Sequence, residues 1–89
     1  MHYVYILFSP SLNKKYIGST SNLKKRLEEH NRKKSDFTSK GIPWKLIYYE
    51  AFLDKKDAIR EENFLKTGKG RERIKYLLEG SDSGLFHRF

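Results

Sequence analysis

The sequence predicts a small α/β (α+β) domain, a three-stranded antiparallel or mixed sheet flanked by helices in the order β-β-α-β-α-α. Three observations carry that expectation. Residues 3–8, "YVYILF", and residues 44–52, "WKLIYYEAF", are dense in aromatic and β-branched residues, which suit a pleated, half-buried surface. Three further stretches place apolar residues at helical spacing. The chain is 89 residues long, and a chain of that size buries only about 60 to 65% of its extended surface, enough for one core.

The first strand, Tyr3 to Phe8, gives way to "SPSLNKK", whose Ser, Pro and Asn break strands and make turns. "KKYIG" follows as a shorter strand, so Tyr3–Phe8 and Lys15–Gly18 read as an antiparallel hairpin whose connection is longer than a two-residue tight turn. From a hydroxyl cap at Thr20 or Ser21, "NLKKRLEEHN" reads as an amphipathic helix with Leu23 and Leu27 within about 40° of each other on its buried stripe. "RKKSDFTSKGIP" is a basic loop, and loops of about a dozen residues inside a small domain are more often functional or mobile than structural. Pro43 introduces the third strand. Asp54 then caps a second helix, "KKDAIREENFLK", which stops at Gly68, and "GKGRERIKYLL" starts again as a third. Two helices on one face of the sheet, or one on each side, are both compatible with this order. The domain is expected to span residues 1–80, and residues 81–89, "SDSGLFHRF", show no period and are expected to fray.

Nineteen Lys and Arg against eleven Asp and Glu give a formal charge of +8, which favours polyanionic partners such as nucleic acid. Without cysteine there is no disulfide framework and no thiolate zinc site, and a reducing compartment is permitted. No apolar run approaches the roughly 20 residues that span a bilayer. The N-terminal "MHYVYILFSP" lacks a basic leader and reads as a strand, not as a secretion signal. A cytoplasmic protein without membrane attachment is the expectation.

The side chains that depart from simple packing come next. With Ala58 at 0° on the second helix, Glu62 falls near about 40° and Leu65 near about 340°, which puts a carboxylate inside the stripe that ought to be buried, while Glu61 lies near about 300°, at its flank. An ionised carboxylate rarely enters an apolar face without a counter-charge, a metal or donors, so Glu62 is either half of an internal ion pair or a functional group. On the first helix Arg26 and His30 stand four apart, neighbours bordering the buried stripe. They are either an ordinary solvated arginine with a half-buried histidine, or a phosphate clamp beside a proton-transfer group. Strand alternation gives Tyr3, Tyr5 and Leu7 one face and Val4, Ile6 and Phe8 the other, and in the hairpin Tyr16 can share the Tyr5 side. Gly18, just past the second strand, either clears a close approach or makes the bend into the helix.

"VYI" at Val4 to Ile6 and "YIG" at Tyr16 to Gly18, followed in order by Arg26, His30 and Glu62, resemble the GIY-YIG nuclease superfamily, and within it the small stand-alone bacterial, UPF0213-like members. The resemblance runs from Tyr3 to about Leu78, with Tyr3-Val4-Tyr5 standing where the family has Gly-Ile-Tyr. It implies that two tyrosines, an arginine and a histidine four residues after it surround the scissile phosphate, and that a carboxylate on a later helix holds one divalent metal. By position these are Tyr5, Tyr16, Arg26, His30 and Glu62, with Gly18 structural at the site, Glu62 the metal ligand and one Mg²⁺ (or Mn²⁺) the cofactor.

The chemistry this resemblance implies is metal-dependent, endonuclease-type hydrolysis of DNA phosphodiesters. Arg26 would offset phosphate charge, and Tyr5 or Tyr16 would orient the attacking water or accept its proton, although a free phenol has a pKa of about 10 and needs nearby cations to act near neutrality. Lys14, Lys15 and Lys24, with Arg32, Lys33, Lys34 and Lys40 from the loop, would hold flanking phosphates and give salt-sensitive binding with little sequence information. Trp44, Tyr48 and Tyr49 pack the core or stack on bases. A compact domain has little surface for reading sequence, so the expected substrate is structured DNA, in repair or recombination, with a protein partner able to supply further specificity. The alternatives are a non-catalytic basic nucleic-acid-binding module that keeps the nuclease fold, and a small protein with an acidic partner.

Overall fold

A computed structural model describes residues 1–32 and 40–79, the side chain of Glu79 excepted. The elements are β1 (His2–Ser9), β2 (Lys14–Thr20), α1 (Leu23–Asn31), β3 (Lys45–Phe52), α2 (Lys55–Leu65) and α3 (Gly68–Glu79). The predicted order therefore stands. The sheet is wholly antiparallel, in the order β2-β1-β3.

β1 is the central strand because it alone has an unbroken apolar run. Val4, Ile6 and Leu7 are buried to 1% exposure or less, and Tyr5 to 2%. A strand covered on both faces has no need of the apolar-polar alternation of a half-exposed one. On one face Val4 and Ile6 join Tyr48, Ala58, Leu65 and Ile74 beneath α2 and α3; on the other Tyr5, Leu7 and Trp44 pack with Tyr16, Leu23 and Leu27 beneath α1. The helices thus lie on both sides of the sheet, one against two. Burying side chains of this size contributes roughly 1.5–3 kcal/mol each.

Boundaries differ from the sequence reading for local reasons. Four residues join β1 to β2, and Asn13 turns the corner with φ 53°, a left-handed conformation that Asn tolerates. Ser9 Oγ accepts the Leu12 N–H at 3.2 Å and closes the turn. β2 continues through Gly18 to Thr20, so Thr20 is a strand residue and neither it nor Ser21 caps α1. The cap is Asn22, whose Oδ1 accepts the Lys25 N–H at 3.0 Å. Asp54 does occupy the N-cap of α2, but its side chain makes no capping hydrogen bond. Trp44 precedes β3 and is tied to the end of α1 by Asn31, which accepts the Trp44 N–H at 2.7 Å and donates to the Trp44 carbonyl at 3.1 Å. Between α2 and α3 the Thr67 hydroxyl accepts the Gly70 N–H at 3.0 Å. A Cβ at Gly70 would run onto the backbone of Phe64 and Leu65, so this tight joint requires glycine.

Lys33, Lys34 and the 81–89 tail lie outside the described residues. Among the described residues no helix is long and apolar enough to cross a membrane.

Candidate active site at the β2 edge

Antiparallel register places Tyr5 opposite Gly18 and Leu7 opposite Tyr16, so the two phenols share the α1 face, as expected. Gly18 lies inside β2 and not past its end. A Cβ there would stand 2.5 Å from the Tyr5 phenol oxygen and 2.7 Å from its Cζ. The missing side chain is therefore filled by the Tyr5 ring, which decides between the two readings of Gly18 in favour of the close approach and against the bend into the helix. The Tyr5 and Tyr16 rings stack with centroids 6.3 Å apart, and Tyr16 meets His30 edge-on at 4.7 Å.

α1 brings its polar pair onto this platform. His30 is 2% exposed, its Nε2 lying 3.1 Å from the Tyr5 oxygen. Arg26 Nε donates to the same oxygen at 3.3 Å, and Arg26 Nη1 donates to Glu29 Oε1 at 3.3 Å. A phenol oxygen that accepts from a guanidinium keeps its own proton to give, and a neutral imidazole nitrogen can accept it when its ring carries the proton on Nδ1. The Tyr5 oxygen thus links Arg26 and His30 in one hydrogen-bonded chain. Burial pushes the Tyr5 phenol above its ordinary value, with Arg26 offsetting part of that rise. Burial, and then the Arg26 charge, push His30 below its ordinary 6.5. Hydrogen bonding to Tyr5 is the first cause that raises Arg26 still further above working pH. At neutrality the trio is a cation, a neutral phenol and a neutral imidazole.

Glu62 approaches the same strand segment from the other face. Ser19, opposite Val4 in the register, donates its hydroxyl to Glu62 Oε1 at 2.7 Å, and Lys66 Nζ donates to Oε2 at 2.7 Å. The Glu62 side chain is 18% exposed, half-buried at the edge and not enclosed. Because β2 is an edge strand, residues from both sheet faces can converge around it, and the Glu62 charge is felt at the Tyr5 phenol, which it helps to raise. Glu61, placed at the helix flank by angle alone, is buried further, its side chain 14% exposed and 3.1 Å from Arg73 Nη1.

Among the described residues no group of three or more His, Cys, Asp or Glu gathers, so a closed protein cage is not on offer. A single solvent-accessible carboxylate with an ammonium already seated on it is. That donor set fits Mg²⁺, which keeps several waters and takes few protein ligands, and fits a thiol- or imidazole-loving metal poorly.

The basic residues scatter more widely. Lys14 and Lys15 are exposed on β2 and Lys24 on α1, Arg32 pairs with Glu28 at 3.6 Å just past α1, and Lys40 is exposed before β3. Sequence reasoning missed a second basic surface. A groove of about 850 Å³ between β2 and α3 is floored by Ile17, Ile74 and Leu78 and rimmed by Lys15, Lys66, Arg71 and Lys75. Arg71 and Lys75 stand four apart on α3, and that spacing was the available signal.

The family described as the GIY-YIG catalytic domain matches residues 1–86. A UPF0213 protein of Streptococcus pneumoniae is 36% identical over 75 residues, covering 83% of this chain and 76% of that one. A UPF0213 protein of Bacillus licheniformis is 34% identical over 85 residues, covering 94% and 87%. The solution NMR structure of a UPF0213 protein from Bacillus halodurans aligns with TM-score 0.52 at 30% identity, over 85% of this chain and 83% of that one. With its Tyr16-Ile17-Gly18 motif at the β2 edge and this match along nearly its whole length, the chain belongs to the GIY-YIG nuclease superfamily and has UPF0213 proteins as relatives.

Proposed function

We propose that this protein is a Mg²⁺-dependent endonuclease that hydrolyses DNA phosphodiesters at the β2 edge, selecting its substrate by shape more than by sequence. The observation that carries the reading is the Arg26–Tyr5–His30 hydrogen-bonded chain beside the strand segment that also receives Glu62. Hydrolysis of a phosphodiester needs an activated water and positive charge where the transition state gathers negative charge. Tyr5 has too high a pKa to be the terminal base. It can pass a proton: its oxygen takes one from the attacking water while its own hydrogen moves to His30 Nε2, which is unprotonated at neutral pH because burial disfavours the imidazolium. Arg26, with 44% of its side chain exposed, holds the phenol in place and faces the phosphate. Tyr16 walls the platform through its ring contacts with Tyr5 and His30. Glu62, oriented by Ser19, would hold the divalent ion, which when bound supplies Lewis-acid stabilisation of the leaving oxygen.

Support for nucleic acid as partner is the +8 charge and the family. The test is incubation of purified protein with labelled single-stranded, duplex and branched DNA in Mg²⁺, Mn²⁺ or EDTA, beside Glu62→Gln and Tyr16→Phe. Cutting that requires the ion and fails in Glu62→Gln, with DNA binding kept, is the expected result. Salt-sensitive binding without cutting on every substrate would replace this reading with a non-catalytic module.

A further inference from the structure

The Lys66 ammonium sits in two places that the proposed chemistry treats as separate. It is 2.7 Å from Glu62 Oε2, on the carboxylate read above as the ion's ligand, and it also lines the groove between β2 and α3. We infer that Lys66 is shared between Glu62 and a nucleic-acid strand lying in that groove: it occupies the cation position while no divalent ion is bound, and joins the groove's phosphate-binding rim once an ion has taken the carboxylate. The inference rests on the endonuclease reading and adds to it a binding surface and a coupling between cofactor and substrate.

Charge explains why the exchange runs in this direction. The Lys66 and Glu62 side chains are 50% and 18% exposed, and ion pairs of this kind contribute little because water screens them and a long side chain must be ordered. A dication meeting the same carboxylate has twice the charge and no chain entropy to lose. Displaced, Lys66 is carried by the α2 C-terminus at the mouth of a groove that already presents Lys15, Arg71 and Lys75. Four cations around a floor of Ile17, Ile74 and Leu78 complement a strand whose phosphates meet the rim while a base or sugar lies on the apolar floor. An acidic peptide would satisfy the rim but has no comparable flat apolar group at each charge. Because the ion frees a cation for the strand, each must tighten the other by the same factor, as linkage requires.

The test uses the full chain with binding readouts only. Mn²⁺ affinity is measured by electron paramagnetic resonance for wild type, Lys66→Gln and Glu62→Gln, and affinity for a fluorescent DNA oligonucleotide is measured with and without Ca²⁺ for wild type, Lys66→Gln and Arg71→Gln/Lys75→Gln. Lys66→Gln is expected to bind Mn²⁺ about two- to fivefold more tightly than wild type, the factor an exposed ion pair is worth, and to lose the enhancement of DNA binding that Ca²⁺ gives wild type. Arg71→Gln/Lys75→Gln is expected to bind DNA more weakly, with a salt slope shallower by about two. Unaltered or weaker Mn²⁺ binding by Lys66→Gln, while Glu62→Gln abolishes it, would overturn the sharing and leave the metal site intact. Mn²⁺ binding that Glu62→Gln does not change would instead remove the metal assignment itself. DNA binding unchanged by the Arg71 and Lys75 substitutions would take the strand out of the groove.

Discussion

His30 is where packing and protonation meet. It is 2% exposed, its Nε2 lies 3.1 Å from the Tyr5 phenol oxygen, and its pKa lies below the ordinary 6.5, first through burial and then through Arg26. A group whose pKa is depressed by folding stabilises the native state above its unfolded value and withdraws that contribution as pH falls through its folded value. Thermal stability should therefore decline as pH drops from about 7 to about 5, and more steeply in wild type than in His30→Gln, which fills similar volume and does not titrate; parallel declines would contradict this role. The acid limb of DNA cleavage should lie below pH 6.5 for the same reason. Helix spacing showed Arg26 and His30 as neighbours, and the resemblance put Tyr5 in their company, but the hydrogen bonds that join the three depend on strand register and on Gly18, which local patterning does not fix. Glu61 illustrates the opposite error: helix angle placed it at a flank, and the docking of α3 with Arg73 buried it.

At the level of elements, β1 and β2 are fitted to each other by a missing side chain. The Tyr5 ring occupies the space a Cβ at Gly18 would need, with the phenol oxygen 2.5 Å from that position. Gly18→Ala should cost about 1–3 kcal/mol, the range for overpacking a filled site, and should displace the Tyr5 hydroxyl from His30. Adding Tyr5→Phe to Gly18→Ala removes the closest clashing atom, so chemical denaturation of the double variant should show less loss than the sum of the two singles; strict additivity would mean the ring does not fill that space. The order of elements was legible from the sequence because each signal was local: apolar density in β1 and β3, helical spacing in α1, α2 and α3. Boundaries were less so. Thr20 and Asn22 are both competent helix caps, and only the continuation of β2 pairing to Tyr3↔Thr20 decided for Asn22.

Over the whole molecule, the two faces of the sheet divide the work. The α1 face carries the phenol–imidazole–guanidinium chain, and the α2–α3 face carries most of the apolar core together with Glu62. Away from the site, Glu50 introduces a weakness: it is partly buried beside a second carboxyl, and burial first, then its hydrogen bond to Glu61 and the Glu61 charge, raise its pKa. A carboxyl whose pKa rises on folding helps the native state only below its unfolded value near 4.5 and loses that help as pH climbs through the folded value. Glu50→Gln, neutral at every pH, should raise stability at pH 7 by about 1 kcal/mol or less, with the difference shrinking towards pH 4; a fall in the unfolding midpoint at pH 7 would contradict that. The basic charge was legible in composition alone, whereas the groove rimmed by Lys15, Lys66, Arg71 and Lys75 gathers residues far apart in sequence, of which the Arg71–Lys75 spacing on α3 was the one linear signal. The claim on which the functional reading depends is that Tyr5 and Glu62, from opposite faces, act on one bond. Its most direct test is single-turnover DNA cleavage in Mg²⁺ by wild type, Tyr5→Phe, Glu62→Gln and the double variant. The expectation is a loss of about 10²-fold or more for each single substitution, with little further loss in the double, as for groups that serve one step. Near wild-type cleavage by either folded single variant would contradict it.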